Sequence, residues 1–410
     1  MHNKENNAGY GIAAVIVFGL IACLLYGLGG GIRADIGILL NPLADNSGIS
    51  YQDASFCIAA MELVFGITQP FFGMLAARKS NRFVLILGSV LLMIGLGGMY
   101  AAHSFIGLLL SLGFLFGAGA GALAFGLVLA SAIHFVGEQN AMLIAGMRNA
   151  ASGMFSFALS PAVTALLDKG GLALTLLVLG ILSALLIPAA LAVTSRDAAA
   201  VRAERAQSAA AGKTEEISFR QVLGGALKNR TYRLLMAGFF TCGFHMIIIE
   251  SHLYSQYVAD GLAENKAGWA FSFYGIATIL GALLSGFLST RVHKGRLLGF
   301  YYGFRAVWAA LYMFVMPHNF ATAVIFAGGL GLTGDATVSP TSGLVHANFP
   351  LRQSATLIGL LFALHQIGAF LSAWLGGIIA EATGGYTLLW VIDIALCVMA
   401  SACSLRIARR

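Results

Sequence analysis

GMLAARKSNR, residues 73–82, closes one long apolar run and opens the next. Its core returns 213 positions later as Gly286-Phe-Leu-Ser-Thr-Arg291, again after a long apolar run and again followed by basic residues. Both copies read Gly-x-Leu-x-x-Arg. A motif repeated at that separation in a chain of 410 residues marks an internal duplication, one copy in each half.

Hydrophobic residues make up 59% of the chain and charged residues only 10%, whereas a soluble domain carries about 25% charged residues. A soluble core of this size cannot leave so little polar surface, so the chain is expected to be an all-α membrane protein. Apolar runs and charged breaks place twelve transmembrane helices, near 9–42, 52–76, 82–101, 105–133, 140–165, 171–194, 231–258, 265–289, 296–316, 320–345, 353–380 and 384–406. The first run is too long for a signal-peptide core and reads as a retained helix. The expected domains are an N-terminal six-helix bundle (1–194), a cytoplasmic linker (195–230) and a C-terminal six-helix bundle (231–410). Within the linker, the segment up to about Gly212 is Ala- and charge-rich, and EISFRQVLGGALKNR has the pattern of a helix lying along a membrane surface.

With the N-terminus inside, nineteen of the 24 Lys and Arg residues fall in cytoplasmic segments, two in outside loops, and three, Arg33, Arg148 and Arg305, within helices. That asymmetry predicts both termini in the cytoplasm. It also accounts for the net charge of +7 without nucleic acid. The five cysteines stand singly in apolar segments, so neither a metal site nor a disulfide framework is indicated. The run Gly117-Ala-Gly-Ala-Gly-Ala122 lacks the strand of a phosphate loop and reads as a helix-packing surface. No ATP motif or catalytic constellation is visible, and no cofactor is expected.

Residues Gly27–Leu43, GLGGGIRADIGILLNPL, carry the costliest feature. An arginine within the bilayer costs roughly 2.5–3.5 kcal/mol on insertion scales. Arg33 therefore needs a partner, a watery cavity or an anionic substrate. It is read either as an anion site or as an ion pair with Asp35 or Glu62. Asp35 is poorly placed for pairing, about 200° away around a helix.

Six helices duplicated, with a basic turn after the second helix of each half, resembles the major facilitator superfamily. That resemblance implies two six-helix pseudo-repeat bundles around a central cavity and secondary transport by alternating access. It makes Gly73, Arg78, Gly286 and Arg291 gating or structural residues, although Ala77 and Thr290 stand where the family usually has an acid. Within the family, GIRADIGILLNPL looks like the first helix of monocarboxylate porters, including bacterial relatives and oxalate/formate exchangers. Cys242-Gly-Phe-His-Met, Arg305-Ala, Ser339-Pro-Thr-Ser-Gly-Leu-Val and His365-Gln-Ile-Gly-Ala are further short matches. The resemblance implies a transporter of small organic anions, monocarboxylates first among them, coupled to protons. It also implies a monomer in the plasma (bacterial inner) membrane in contact with lipid. The alternatives are a carboxylate/carboxylate exchanger and a proton-driven exporter of amphipathic compounds.

The candidate substrate-binding residues are Arg33, Arg148, His245, His365 and Gln366. Those for proton coupling are His245, Glu250 and Asp335. His245 is placed opposite Arg33 by the internal offset, and His245 and His252, seven apart, share one helix face. Histidine titrates near neutrality, which makes His245 the first proton carrier and Glu250 the second. Arg305 is expected to pair structurally with Asp393, since both lie near the midplane. Neutralising Arg33 is expected to abolish transport while leaving folding intact.

Overall fold

The computed structural model describes residues 12–124, 127–128, 131–132, 141–195 and 219–407, which are predominantly helical and contain no strand. The helices in chain order are α1 (Ile12–Ala34), α2 (Leu40–Ser47), α3 (Tyr51–Arg78), α4 (Asn81–Ala101), α5 (Phe105–Leu108), α6 (Gly117–Ala122), α7 (Ala141–Ala184) and α8 (Leu186–Val193). After the linker come α9 (Phe219–Lys228), α10 (Arg230–Ile247), α11 (Tyr254–Ala259), α12 (Glu264–Arg291), α13 (Lys294–Phe314), α14 (Phe320–Thr333), α15 (Val338–Asn348), α16 (Leu351–Thr383) and α17 (Thr387–Leu405). The linker segment 196–218 lies outside the described residues.

Ten stretches among the described residues are long and apolar enough to cross a membrane. One of them, Ala151–Val193, is two helices folded back at Gly171, whose φ of +63° favours glycine. Helix α13 is helical over 21 residues but stands outside that set, because its arginines and tyrosines lower its hydropathy. Counting the folded-back pair as two and adding α13 brings ten to the expected twelve.

Local chemistry sets the helix ends. Ser50, Ser80 and Asn229 accept from the third residue of α3, α4 and α10, at 3.0, 3.1 and 3.1 Å, and so satisfy amides that have no intrahelical acceptor. Gly384 ends α16 at φ +70°. Four non-α segments interrupt spans among the described residues, including a π segment, Leu109–Phe116, between α5 and α6 and a 3-10 turn, Asp335–Thr337, between α14 and α15; the other two border the site. A 3-10 turn, Ile36–Leu39, follows α1, and a π turn, Ile248–Leu253, separates α10 from α11. Helix α6 carries the glycine run. Gly117 lies against Met61, Gly121 against Thr68 and Gly119 against Leu92, so α6 sits between α3 and α4 with almost no side chain in between. Val222 and Ala226 are the buried side of the short helix α9, which rests on α10 and α16.

The molecule has a basic end, where α3 and α12 finish at Arg78 and Arg291, and a far end, where they begin at Tyr51 and Glu264. Helices before and after the linker meet along three seams. Gly153 on α7 lies against Gly275 on α12, with Gly268 against Thr164 further along. Ser55 on α3 lies against Gly377 on α16, and the Gln52 amide donates to Glu381 at 3.0 Å. Gly37 touches Glu250 and Ser251. Each of these contacts lies between the centre and the far end. At Gly73 and Gly286, nearer the basic end, an added side chain would meet open space.

The Gly153–Gly275 seam is backbone on backbone. Gly153→Leu should wedge α7 from α12. Overpacking costs roughly 1–3 kcal/mol, so solute uptake should fall about tenfold at unchanged membrane expression. Uptake equal to that of the parent chain would show that this seam need not close during transport.

Candidate functional site

Arg33 occupies the last turn of α1. The glycines before it do not face a ligand. Gly27 and Gly31 pack on Phe155, and Gly30 on Ser152, so α1 lies directly against α7. Arg33 points away from that contact and is met by two carboxylates. Its Nη1 bonds Glu62 on α3, and its Nη2 lies 3.1 Å from Glu250 Oε2 in the π turn. The guanidinium also lies over the Phe65 ring, 5.0 Å from its centroid.

Gln366 on α16 completes the group. Its Nε2 donates to the Glu62 carbonyl at 2.8 Å and to Glu62 Oε2 at 3.2 Å, and its Oε1 accepts from His365 Nδ1 at 2.8 Å. Gly66, one turn beyond Glu62, leaves the space that the Gln366 stem fills. One cation thus ties together α1, α3, the π turn and α16, drawn from both halves. The two glutamates are not equivalent. Glu62 is held by a guanidinium and an amide and is 2% exposed, while Glu250 is held by the longer ion pair and is 9% exposed. Charge-assisted bonds to two donors fix Glu62, so Glu250 is the carboxylate freer to leave.

Asp35 faces elsewhere and accepts from Ser156 Oγ at 2.7 Å, so it is not Arg33's partner. Asp335 is half-buried in a 3-10 turn, Asp335–Thr337, close enough to feel the charges of His365, Arg33 and Arg305. The side chain of Arg148 lies outside the described residues. Arg78 and Arg291 are exposed at the basic end, with Arg291 over the Phe287 ring at 4.4 Å.

Three expectations are corrected by the geometry. His245 does not face Arg33. It is fully buried, with Nδ1 2.7 Å from Asp393 Oδ2 on α17 and its ring edge-on to Trp390. The residue opposite Arg33 is Glu250. Nor do His245 and His252 share a face. His252 Nε2 donates to the Ala373 carbonyl at 3.0 Å, and its Nδ1 accepts from Tyr51 at 2.9 Å, while Tyr386 donates to Tyr51 at 2.8 Å. The His245 placement fails because the internal offset aligns it with Ile32 rather than with Arg33 itself, and the shared face fails because a π turn begins between the two histidines. Its i→i+5 bonds insert an extra residue, and the face counted at 100° per residue is not carried through.

The third correction concerns Arg305, which does not pair with Asp393. Its Nη2 donates to the carbonyls of Thr333 and, at 2.8 Å, Gly334, and its Nε reaches Thr333 Oγ1 at 3.4 Å. Helix α14 breaks at Gly334 inside the protein, and its last carbonyls lack intrahelical donors. A guanidinium is a good cap for such an end. Asp393 meanwhile is taken by His245, with Cys397 Sγ 3.8 Å from its other oxygen.

Glu62, which sequence reasoning offered only as one of two possible ion-pair partners of Arg33 and left out of the candidate site, is central to it. The signal was present, since Glu62 is the one charged residue between Ala54 and Phe72. Tyr51, Tyr386 and the Trp390–Gln256 bond of 2.6 Å gave no comparable signal, because aromatic and amide side chains are ordinary at helix ends.

Removing Arg33 leaves Glu62 and Glu250 buried and facing one another. Neutralising it is therefore a structural change as well, contrary to the expectation from its sequence context. Losing one member of a buried ion pair costs about 3–5 kcal/mol. Arg33→Gln should therefore lower the unfolding temperature of the purified protein clearly, and Arg33→Gln with Glu250→Gln should recover much of the loss. Equal unfolding temperatures for the parent and Arg33→Gln would rule out a stabilising role for the pairs.

Comparison with known proteins bears on the whole chain. The model of the Major Facilitator Superfamily matches residues 18–260 and 253–410. The Bacillus subtilis (strain 168) protein described as an uncharacterized MFS-type transporter, YcxA, is 26% identical over 186 residues, and that match spans 42% of this chain and 42% of that protein's length. Monocarboxylate transporter 11 of Mus musculus is 25% identical over 371 residues, 88% of this chain and 80% of that one. The crystal structure of the nucleoside transporter NupG superposes with a TM-score of 0.75 at 13% identity, over 97% of this chain and 100% of that one, which speaks to the fold alone. With two helical halves, a charge-bearing centre shared between them and a family match along almost the entire length, this chain belongs to the major facilitator superfamily of membrane transporters.

Proposed function

We propose that this transporter moves small organic anions, monocarboxylates first among them, together with protons. The observation that carries this reading is a single arginine shared by two glutamates from opposite halves. A substrate carboxylate has the same shape and charge as the glutamate head it would displace, and a guanidinium receives such a group through two parallel bonds. Glu250, the more loosely held partner, is the one to be displaced. His365 and Gln366 stand beside the exchange point and supply hydrogen-bond donors. The similarity to a mouse monocarboxylate transporter supports the substrate class.

Charge explains the proton. Arg33 with two ionised glutamates carries one net negative charge. Admitting a substrate anion would raise that to two in a low-dielectric site. A proton taken up by the displaced Glu250 holds the charge constant. It also cancels the cost of moving an anion against the membrane potential, about 2.3 kcal/mol per charge per 100 mV. The His245–Asp393 pair, closed off from Arg33, supports α10 against α17 in this reading rather than carrying the proton.

Residues 1–194 and 231–410 are the two rocking units, joined by 195–230. In this reading the basic end, by the asymmetry of Lys and Arg, is the cytoplasmic face of a protein of the plasma (inner) membrane, with both termini in the cytoplasm. Contact between the units toward the far end, with open space around Gly73 and Gly286, suits an inward-open stage of the cycle.

Uptake of a labelled short monocarboxylate into proteoliposomes should rise as the external pH falls from about 8 to about 6, across the range where a carrier of this kind exchanges its proton. Arg33→Gln should abolish uptake, and Glu250→Gln should flatten the pH dependence while His245→Gln preserves it. Uptake indifferent to pH but dependent on a carboxylate on the opposite side would replace symport by exchange.

A further inference from the structure

At the basic end of the second half, α10, the α12–α13 turn and the end of α15 enclose a cavity of roughly 330 Å³. It is remote in sequence and chemistry from the Arg33 group. Among the described residues its ionisable walls are Arg291, His293 and Lys294, and none of them is acidic. The first turn of α13, 21 residues long, opens at the same place, with His293 as its N-cap. The His293 side chain and carbonyl serve the amides of Arg296 and Leu297. The amides of Lys294 and Gly295 have no intrahelical acceptor, and the helix dipole adds positive potential there.

Two buried polar atoms in the cavity wall have no partner. Ser289 is 7% exposed, and its Oγ has no hydrogen bond. Asn348 Oδ1 is also unpartnered, and it cannot turn away, because the Nδ2 of the same amide donates to Leu344 O at 2.8 Å. Leaving such atoms unpaired costs roughly 1–3 kcal/mol each. Lys294 is held in place by its stem, which packs on Gly343 of α15, a position where any side chain would collide with it.

These groups ask for two different things. Lys294, Arg291 and the helix N-terminus ask for an anion, and the Ser289 hydroxyl is a ready donor to one. Asn348 Oδ1 asks for a donor. A bare anion satisfies only the first set. We propose that this cavity binds a phosphate group bearing a hydroxylated substituent, a phosphoglycerol unit being the simplest case. The phosphate sits between Ser289, Lys294 and the first turn of α13, and a glycerol hydroxyl donates to Asn348. Such a unit reaches the cavity either as the headgroup of an anionic phospholipid or as soluble glycerol phosphate. The volume lies at the lower end of ordinary ligand pockets. Basic clefts between transmembrane helices are suited to phospholipid headgroups.

The full-length protein, purified in mild detergent, tests this by native mass spectrometry with phosphatidylglycerol against phosphatidylcholine. The parent chain should retain phosphatidylglycerol preferentially. Ser289→Ala with Lys294→Gln should weaken that preference about tenfold, from one lost hydrogen bond and one lost surface cation. Lys79→Gln, which removes the same charge from the basic turn of the first half, should leave the preference in place. Competition by soluble glycerol phosphate at millimolar concentration would assign the site to the soluble source, and resistance to it would assign the site to the lipid. No preference in the parent chain, or an equal loss in Lys79→Gln and in the double variant, would overturn the proposal.

Discussion

A guanidinium held between two carboxylates in a membrane-spanning protein constrains everything around it. Arg33 cannot be left alone at that depth, and either glutamate alone would be as costly. The three charges are affordable only as a group, and the group exists only while α1, α3 and the π turn between α10 and α11 stand together. Part of what holds the first half against the second is therefore electrostatic and central. Toward the far end lie hydrogen bonds between the halves, Gln52 to Glu381 and Tyr51 to His252, and a second, steric kind of contact, where glycines allow backbone to touch backbone. The first kind of contact responds to ions and protons, whereas the second responds only to shape. A transporter needs both, one to sense cargo and one to close behind it.

Much of the fold was legible in the residues. Apolar run length, the placement of Lys and Arg and the repeated Gly-x-Leu-x-x-Arg each reflect a constraint that acts on the chain locally. The bilayer's thickness, the charge asymmetry across it and a duplicated turn leave marks on consecutive residues. Gly171, which folds two spans back on each other inside one helical run, shows the same economy, since a single residue reverses the chain.

The site was less legible, for two separate reasons. Arg33 announced itself by its cost, and Gln366 came with it. Glu62 was visible as one of two possible ion-pair partners, but Glu250, the partner from the second half, ranked behind His245, which the internal offset had placed opposite Arg33. Glu250, within the π turn, stands at the place that the offset had given to His245. Arg305 failed differently. Depth along a helix follows from residue number, but azimuth around the bundle does not. Two charges at one depth, Arg305 and Asp393, each found another partner. The carbonyls that Arg305 serves belong to a helix break at Gly334, which neither composition nor hydropathy reveals.

That break has a further meaning. Where a membrane helix is interrupted in the protein interior, the exposed carbonyls form a ready nest for a metal cation, and some transporters draw sodium through such nests. Here the nest at Thr333 and Gly334 is filled by a cation that is covalently part of the chain. A tethered charge cannot be traded across the membrane or depleted by dilution. The bend at this interruption is therefore held by the chain's own charge and needs no ion from solution to occupy those carbonyls.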